Sequence, residues 1–67
     1  MNPTSTDLRQ QGEFLGQVEV GPLGSSYFVD LFRWRGRVWV IDNRDWRARP
    51  PEPKEWLAHQ EMTEACR

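Results

Sequence analysis

The sequence predicts a small α+β fold in which a three-stranded antiparallel β-meander packs on one C-terminal α-helix. Three segments with the composition of strands, residues 13–20, 27–34 and 37–42, are separated by short turn-forming stretches. Residues 54–66 follow a cluster of prolines and carry apolar side chains at helical spacing. A small SH3-like β-barrel with a C-terminal helix, in which residues 46–49 form a fourth strand, is the alternative.

The chain is too short to build a large core. Sixty-seven residues make one domain, and a domain this small buries only about 60% of the surface of its unfolded chain. The single cysteine, Cys66, excludes an internal disulfide, and the single histidine, His59, has no neighbours to complete a zinc site. We therefore expect no cofactor or metal, and we expect a homodimer contact or a larger partner to add stability.

Residues 1–12 are predicted to be a flexible N-terminal arm, and residues 13–67 the single domain. The arm is polar, and Leu8 is the one apolar residue that could anchor a helical turn over residues 7–11. No apolar run approaches the roughly 20 residues of a membrane span, and the N-terminus lacks the pattern of a signal peptide. These features predict a cytoplasmic protein.

The first strand is predicted to alternate between an apolar and a polar face. Gly16 in its interior weakens the strand or marks a bulge. The apolar face is expected to hold Phe14, Gly16, Val18 and Val20.

Residues 27–42 are predicted to form a β-hairpin with Arg35 and Gly36 as its two-residue turn. This turn pairs Phe32 with Trp39, which makes Trp39 a core residue. Both faces of the sheet are rich in apolar side chains, whereas a sheet with one solvated face alternates more clearly. We therefore expect the helix to cover one face, and a second copy, the C-terminal tail or a partner to cover the other.

The C-terminal helix is predicted to have Pro53 at its first position, with a thin apolar stripe facing the sheet. The stripe comprises Leu57, Ala58, Met62, Ala65 and Cys66, with Trp56 at its edge. The acidic residues are expected on the solvated side, and they are Glu52, Glu55, Glu61 and Glu64.

Positive charge is concentrated in the middle of a chain whose net charge is −1. Residues 33–49 hold six arginines against two aspartates, a local charge of +4. The candidate contact residues at the hairpin tip are Arg33, Trp34, Arg35 and Arg37, of which Trp34 is expected to be exposed. A second group could extend the same basic surface, and it comprises Arg44, Trp46 and Arg47. For the tip group, the competing interpretation is a solvated hairpin turn whose arginines keep the sheet edge soluble. For the second group, it is a loop whose arginines pair with Asp42 and Asp45.

Tryptophan and arginine are the residue types enriched in protein-binding hot spots. The sequence contains no phosphate-binding glycine loop, zinc pattern or nucleophile elbow, so we expect no enzymatic activity. The sequence favours a small intracellular adaptor or inhibitor that docks on a larger protein or assembly. Its size and character also suit a phage- or mobile-element-encoded protein. The alternative is a nucleic-acid-binding protein or transcription regulator that uses the same basic hairpin, because arginines with aromatics also bind single strands.

Overall fold

A computed structural model describes residues 2–22 and 24–65, with side chains described as far as residue 61. The elements in chain order are α1 (Ser5–Gln11), β1 (Glu13–Val20), β2 (Tyr27–Trp34), β3 (Arg37–Asp42), β4 (Ala48–Arg49) and α2 (Pro53–Ala65). The strands form one open antiparallel sheet in the order β1-β2-β3-β4. The predicted α+β class and its three-stranded meander are confirmed, but the fold adds a short fourth strand and an N-terminal helix. Because the sheet is open, the alternative of a closed barrel is wrong.

Residues 5–11 form the helix α1, where the sequence indicated a flexible arm. Thr4 and Asp7 make a reciprocal capping box, in which each side chain accepts the other residue's backbone N–H at 3.1 Å. Leu8 is fully buried against the sheet. The cap satisfies the first amides of the helix, and Leu8 together with the ion pair between Arg9 and Asp30 of β2 holds it on the sheet.

The β2–β3 hairpin has the predicted register, with Phe32 opposite Trp39 and Trp34 opposite Arg37. Arg35 and Gly36 both have positive φ, 51° and 79°. Two successive residues of this kind form the type I′ turn, whose twist matches that of the flanking strands. The hairpin tip is therefore a rigid extension of the sheet.

A β-bulge at Leu15 changes which residues of β1 share a face. Phe14 pairs with Phe32 and Gly16 with Leu31, so Leu15 is the extra residue, and Gly16 has a φ of 146°. Of the alternatives that the sequence left open for Gly16, the structure shows the bulge. The expected common face for Phe14 and Val18 is wrong, because the extra residue places Phe14 on the opposite side of the sheet.

The sheet carries a hydrophobic cluster on each face. On the α2 face the cluster comprises Val18, Val20, Tyr27, Val29, Leu31 and Val40, and Ala58 of α2 packs against it. On the α1 face the cluster comprises Leu8, Phe32, Trp39 and Ile41, with Trp34 and Ala48 packed against it. The expectation that a helix covers one face is confirmed. The other face is covered in part by α1, so a second copy is not needed to bury its centre.

The helix α2 begins at Pro53 as predicted, but its buried side is not the predicted one. Glu55, expected on the solvated side, is fully buried, whereas Leu57, expected in the apolar stripe, is 56% exposed. Met62, Ala65 and Cys66 lie outside the described side chains. No helix of the described residues is long and apolar enough to cross a membrane.

Candidate functional site

The seven candidate contact residues fall into two groups at opposite ends of β3. The tip group precedes or begins β3, and the group of Arg44, Trp46 and Arg47 follows Asp42, the last residue of the strand. Five residues of β3, 38–42, lie between the two groups and span about 17 Å. The structure therefore does not bring them together as one continuous basic surface.

Arg44 is part of the folded framework. Its guanidinium donates to Asp42 through Nε at 3.0 Å and through Nη2 at 2.6 Å. Its central carbon lies 3.8 Å from the centre of the Tyr27 ring, a cation–π contact. The pairing of this loop arginine with Asp42, which the sequence left open, is confirmed.

Arg49 connects two buried carboxylates. It donates to Glu55 through Nη1 at 2.7 Å and Nη2 at 2.6 Å, and to Asp42 through Nη2 at 3.0 Å. Glu55 also accepts from the Tyr27 hydroxyl at 2.7 Å and from the backbone N–H of Glu52 at 2.8 Å. Two carboxylates thus meet two guanidinium groups, so the cluster is electrically balanced and we assign it a structural role.

The contacts within this cluster set the pKa values of its members. Hydrogen bonds from Arg44 hold the pKa of Asp42 well below its usual range. Burial alone would raise the pKa of Glu55, but the hydrogen bonds from Arg49, Glu52 and Tyr27 lower it below its usual range. Burial and the neighbouring Glu55 raise the pKa of Tyr27 to about 12. All three groups therefore keep their ordinary protonation at neutral pH.

The sequence analysis missed this cluster. A glutamate three residues after the residue that caps a helix is a recognisable capping signal, and Glu55 occupies that position relative to Glu52. Its burial depends on Arg49, six residues earlier in the chain, and no local pattern indicates that contact.

Trp46 and Arg47 lie on the turn between β3 and β4. Trp46 has a φ of 61° and is 59% exposed, and the guanidinium of Arg9 in α1 lies 5.8 Å from its ring. Only residues 48–49 form a strand, so the expected fourth strand at 46–49 is shorter than predicted. Arg47 is exposed and makes no ion pair among the described residues.

At the hairpin tip, the two sheet faces separate the arginines. Arg33 points to the α2 face, where it lies 3.4 Å from Glu13. Arg35 stacks on Trp34, with its guanidinium carbon 4.4 Å from the ring centre. The expectation that Trp34 is exposed is wrong: it is half-buried, because it packs on the α1-face cluster beside Trp39.

A recess of about 330 Å³ opens on the α1 face of the tip. It is lined by Asn2, Trp34, Arg35, Arg37 and Trp39. Trp39 is only 7% exposed, and its indole Nε1 is buried without a hydrogen-bond partner among the described residues. Among the described residues no carboxylate lines the recess, and its charged lining groups are the guanidiniums of Arg35 and Arg37.

Phe14 extends the same face of the tip. It is 59% exposed, and its ring centre lies 5.4 Å from that of Phe32. Phe14 faces Phe32 across the strands, so it is diagonal to Trp34 on the same face, where side chains come within reach of each other. Sequence analysis did not select Phe14 as a contact residue, because the bulge that places it on the α1 face is not visible in the alternation of β1. We refer to Phe14, Trp34, Arg35 and Arg37 as the tip surface.

Comparison with family models, curated proteins and solved structures gives no match to this chain. Among the described residues, no group of three or more His, Cys, Asp or Glu side chains could hold a metal ion. The tip surface must therefore be interpreted from its own geometry.

Proposed function

We propose that the chain is a small, intracellular, non-enzymatic binding module. It docks on a larger protein through the tip surface and acts as an adaptor or an inhibitor. The observation that carries the proposal is the combination of an arginine–tryptophan stack at the hairpin tip with an exposed phenylalanine, Phe14, on the same face of the neighbouring strand β1.

The number of arginines that are already paired within the chain supports a protein partner. Three of the six arginines between residues 33 and 49 pair with carboxylates of the chain itself, and they are Arg33, Arg44 and Arg49. Arg35 and Arg37 make no ion pair among the described residues. A protein that follows a phosphate backbone needs a longer row of uncompensated cations. Two free arginines beside aromatic rings match the small, desolvated centre of a protein–protein interface.

The rigidity of the tip also supports binding. Its side chains project from paired strands and a type I′ turn, and Trp34 is held by the α1-face cluster. A preorganised surface loses little conformational entropy when it docks. Arg35 is likewise oriented in advance by its stack on Trp34.

The proposal is tested with two exposed arginines, one at the tip and one at the far end of β3, neither of which makes an ion pair among the described residues. Arg35→Ala should leave folding intact and weaken capture of the partner, whereas Arg47→Ala, at the far end of β3, should not. Trp34→Ala is unsuitable on its own because Trp34 also packs on the core. Loss of capture by Arg47→Ala, with Arg35→Ala unaffected, would place the site on the other end of the molecule.

The second candidate function is nucleic-acid binding. An arginine stacked on a tryptophan is also a feature of single-strand binding surfaces. Such a protein would bind generic DNA or RNA at low salt and lose affinity steeply as salt rises, because binding releases counterions. Fluorescence titration of a labelled single strand at several salt concentrations measures this affinity. The absence of binding at low salt would exclude nucleic-acid binding.

Self-association as a homodimer is a separate proposal. Large apolar side chains are exposed on several sides of the molecule, and they are Phe14, Phe28, Trp46, Trp56 and Leu57. Light scattering distinguishes a dimer from a 7.9 kDa monomer, and a monomer at high concentration would contradict the proposal.

A further inference from the structure

We infer that the recess at the hairpin tip binds one carboxylate, from an acidic side chain of the partner protein. Arg35 and Arg37 would supply the charge, and the indole N–H of Trp39 a further donor. This inference rests on the proposed function and adds the chemical class of group that the tip recognises.

The first observation is the charge of the recess. Arg35 and Arg37 both line it and are not neutralised by any described carboxylate. Guanidinium groups bind carboxylates through short, charge-assisted and often bidentate hydrogen bonds. A recess whose charged lining groups, among the described residues, are two guanidiniums therefore favours an anion.

The second observation is the buried indole of Trp39. A tryptophan N–H that is buried normally has an acceptor, and leaving it unpaired is costly. The nitrogen itself does not contact solvent, so an acceptor can reach it only when a flexible side chain of the recess moves aside. Asn2, which is exposed and lies outside the sheet, lines the same recess, and we take it as the side chain that moves.

The third observation is the size and apolar rim of the recess. Its volume of about 330 Å³ lies at the lower end of ligand sites and suits one side chain. The ring of Trp34, which lines the recess, provides apolar contact for the methylene groups of a glutamate. A track for several phosphates would need cations beyond the two at the tip.

The test is an NMR titration of the intact protein labelled with ¹⁵N. Four tryptophans give four indole signals, and Trp39→Phe identifies the signal of Trp39. The probes are the blocked peptide acetyl-Gly-Glu-Gly-amide, the matched peptide with Gln in place of Glu, and inorganic phosphate. The Glu peptide should shift the Trp39 signal saturably, and the Gln peptide should bind about tenfold more weakly because its neutral amide forms no ion pair with the guanidinium groups.

Matched arginine variants locate the site. Arg37→Gln should weaken binding of the Glu peptide about tenfold, whereas Arg47→Gln should leave it unchanged. Equal binding of the Glu and Gln peptides, equal loss in both variants, or no shift of the Trp39 signal would each overturn the inference. Tighter binding of phosphate than of the Glu peptide would also overturn it and favour the nucleic-acid function.

The two proposals fail in different ways. If Arg35→Ala abolishes capture of a protein partner but the Glu peptide does not bind, the carboxylate inference is wrong and the proposed function stands. If the Glu peptide binds the recess but no protein partner depends on the tip, the proposed function is wrong while the anion site remains.

Discussion

Replacement of Arg49 by methionine should destabilise the protein more than replacement of any exposed arginine. Methionine keeps much of the apolar stem but removes the guanidinium. Glu55 then loses two hydrogen bonds of 2.7 and 2.6 Å, and Asp42 loses one of 3.0 Å. Glu55 is fully buried, so its charge is left without a cation.

The size of the effect follows from this burial. Removing one partner of a buried ion pair costs about 3–5 kcal/mol. Arg49 is itself 27% exposed, and Asp42 keeps Arg44, so we expect the lower value, about 3 kcal/mol. A chain of this length has a total stability of about 3–10 kcal/mol, so the variant should be close to unfolding.

Urea denaturation monitored by tryptophan fluorescence measures the loss, with Arg47→Met as the control that should change stability by less than about 0.5 kcal/mol. The double variant Arg49→Met/Glu55→Gln removes the uncompensated charge but keeps an acceptor for Tyr27, so it should regain more than half of the loss. A loss below about 1 kcal/mol for Arg49→Met, or a double variant less stable than the single one, would refute this account of the cluster.

Three further predictions concern pH and local structure. The folded pKa values of Asp42 and Glu55 lie below those of the unfolded chain, so stability should be full above about pH 5 and fall at lower pH. An acid titration by circular dichroism measures this, and unchanged stability down to pH 2 would contradict it. The one tyrosine, Tyr27, should ionise near pH 12 rather than pH 10 in an ultraviolet titration. Because its pKa is raised in the folded state, the free energy of unfolding should fall as the pH rises from about 10 to 12. Ionisation at pH 10 in the folded protein would contradict the contact with Glu55. Leu8→Ala should cost about 2–5 kcal/mol by urea denaturation if α1 covers the sheet, whereas a cost below about 1 kcal/mol would show that the N-terminal segment contributes little.

The parts of the fold that depend on local chemistry could be predicted from the sequence. The two-residue turn at Arg35 and Gly36 fixed the register of the hairpin, and Pro53 fixed the start of α2. The helix α1 was missed because its apolar signal is a single leucine, and its stability comes from a cap and a contact with the sheet.

The parts that depend on distant contacts could not be predicted. Glu55 has the sequence signal of a solvated helical acid, and only its pairing with Arg49 explains its burial. The bulge was expected at Gly16, but its consequence, the move of Phe14 to the tip surface, required the pairing of β1 with β2. The distance of Arg44 and Arg47 from the tip follows from the length of β3. The sequence predicted this strand with the same boundaries, 37–42, so the separation could have been predicted.

The most direct measurement of the central claim is the capture of a protein partner by matched tip variants. Tagged wild type, the double variant Arg35→Gln/Arg37→Gln and the control Arg47→Gln are compared on nuclease-treated lysate of the source cells, after each is shown to be folded. The account predicts that one protein is retained in stoichiometric amount by wild type and by Arg47→Gln, and is lost from the double variant. Retention of the same protein by the double variant, or recovery of nucleic acid alone when the nuclease is omitted, would contradict it.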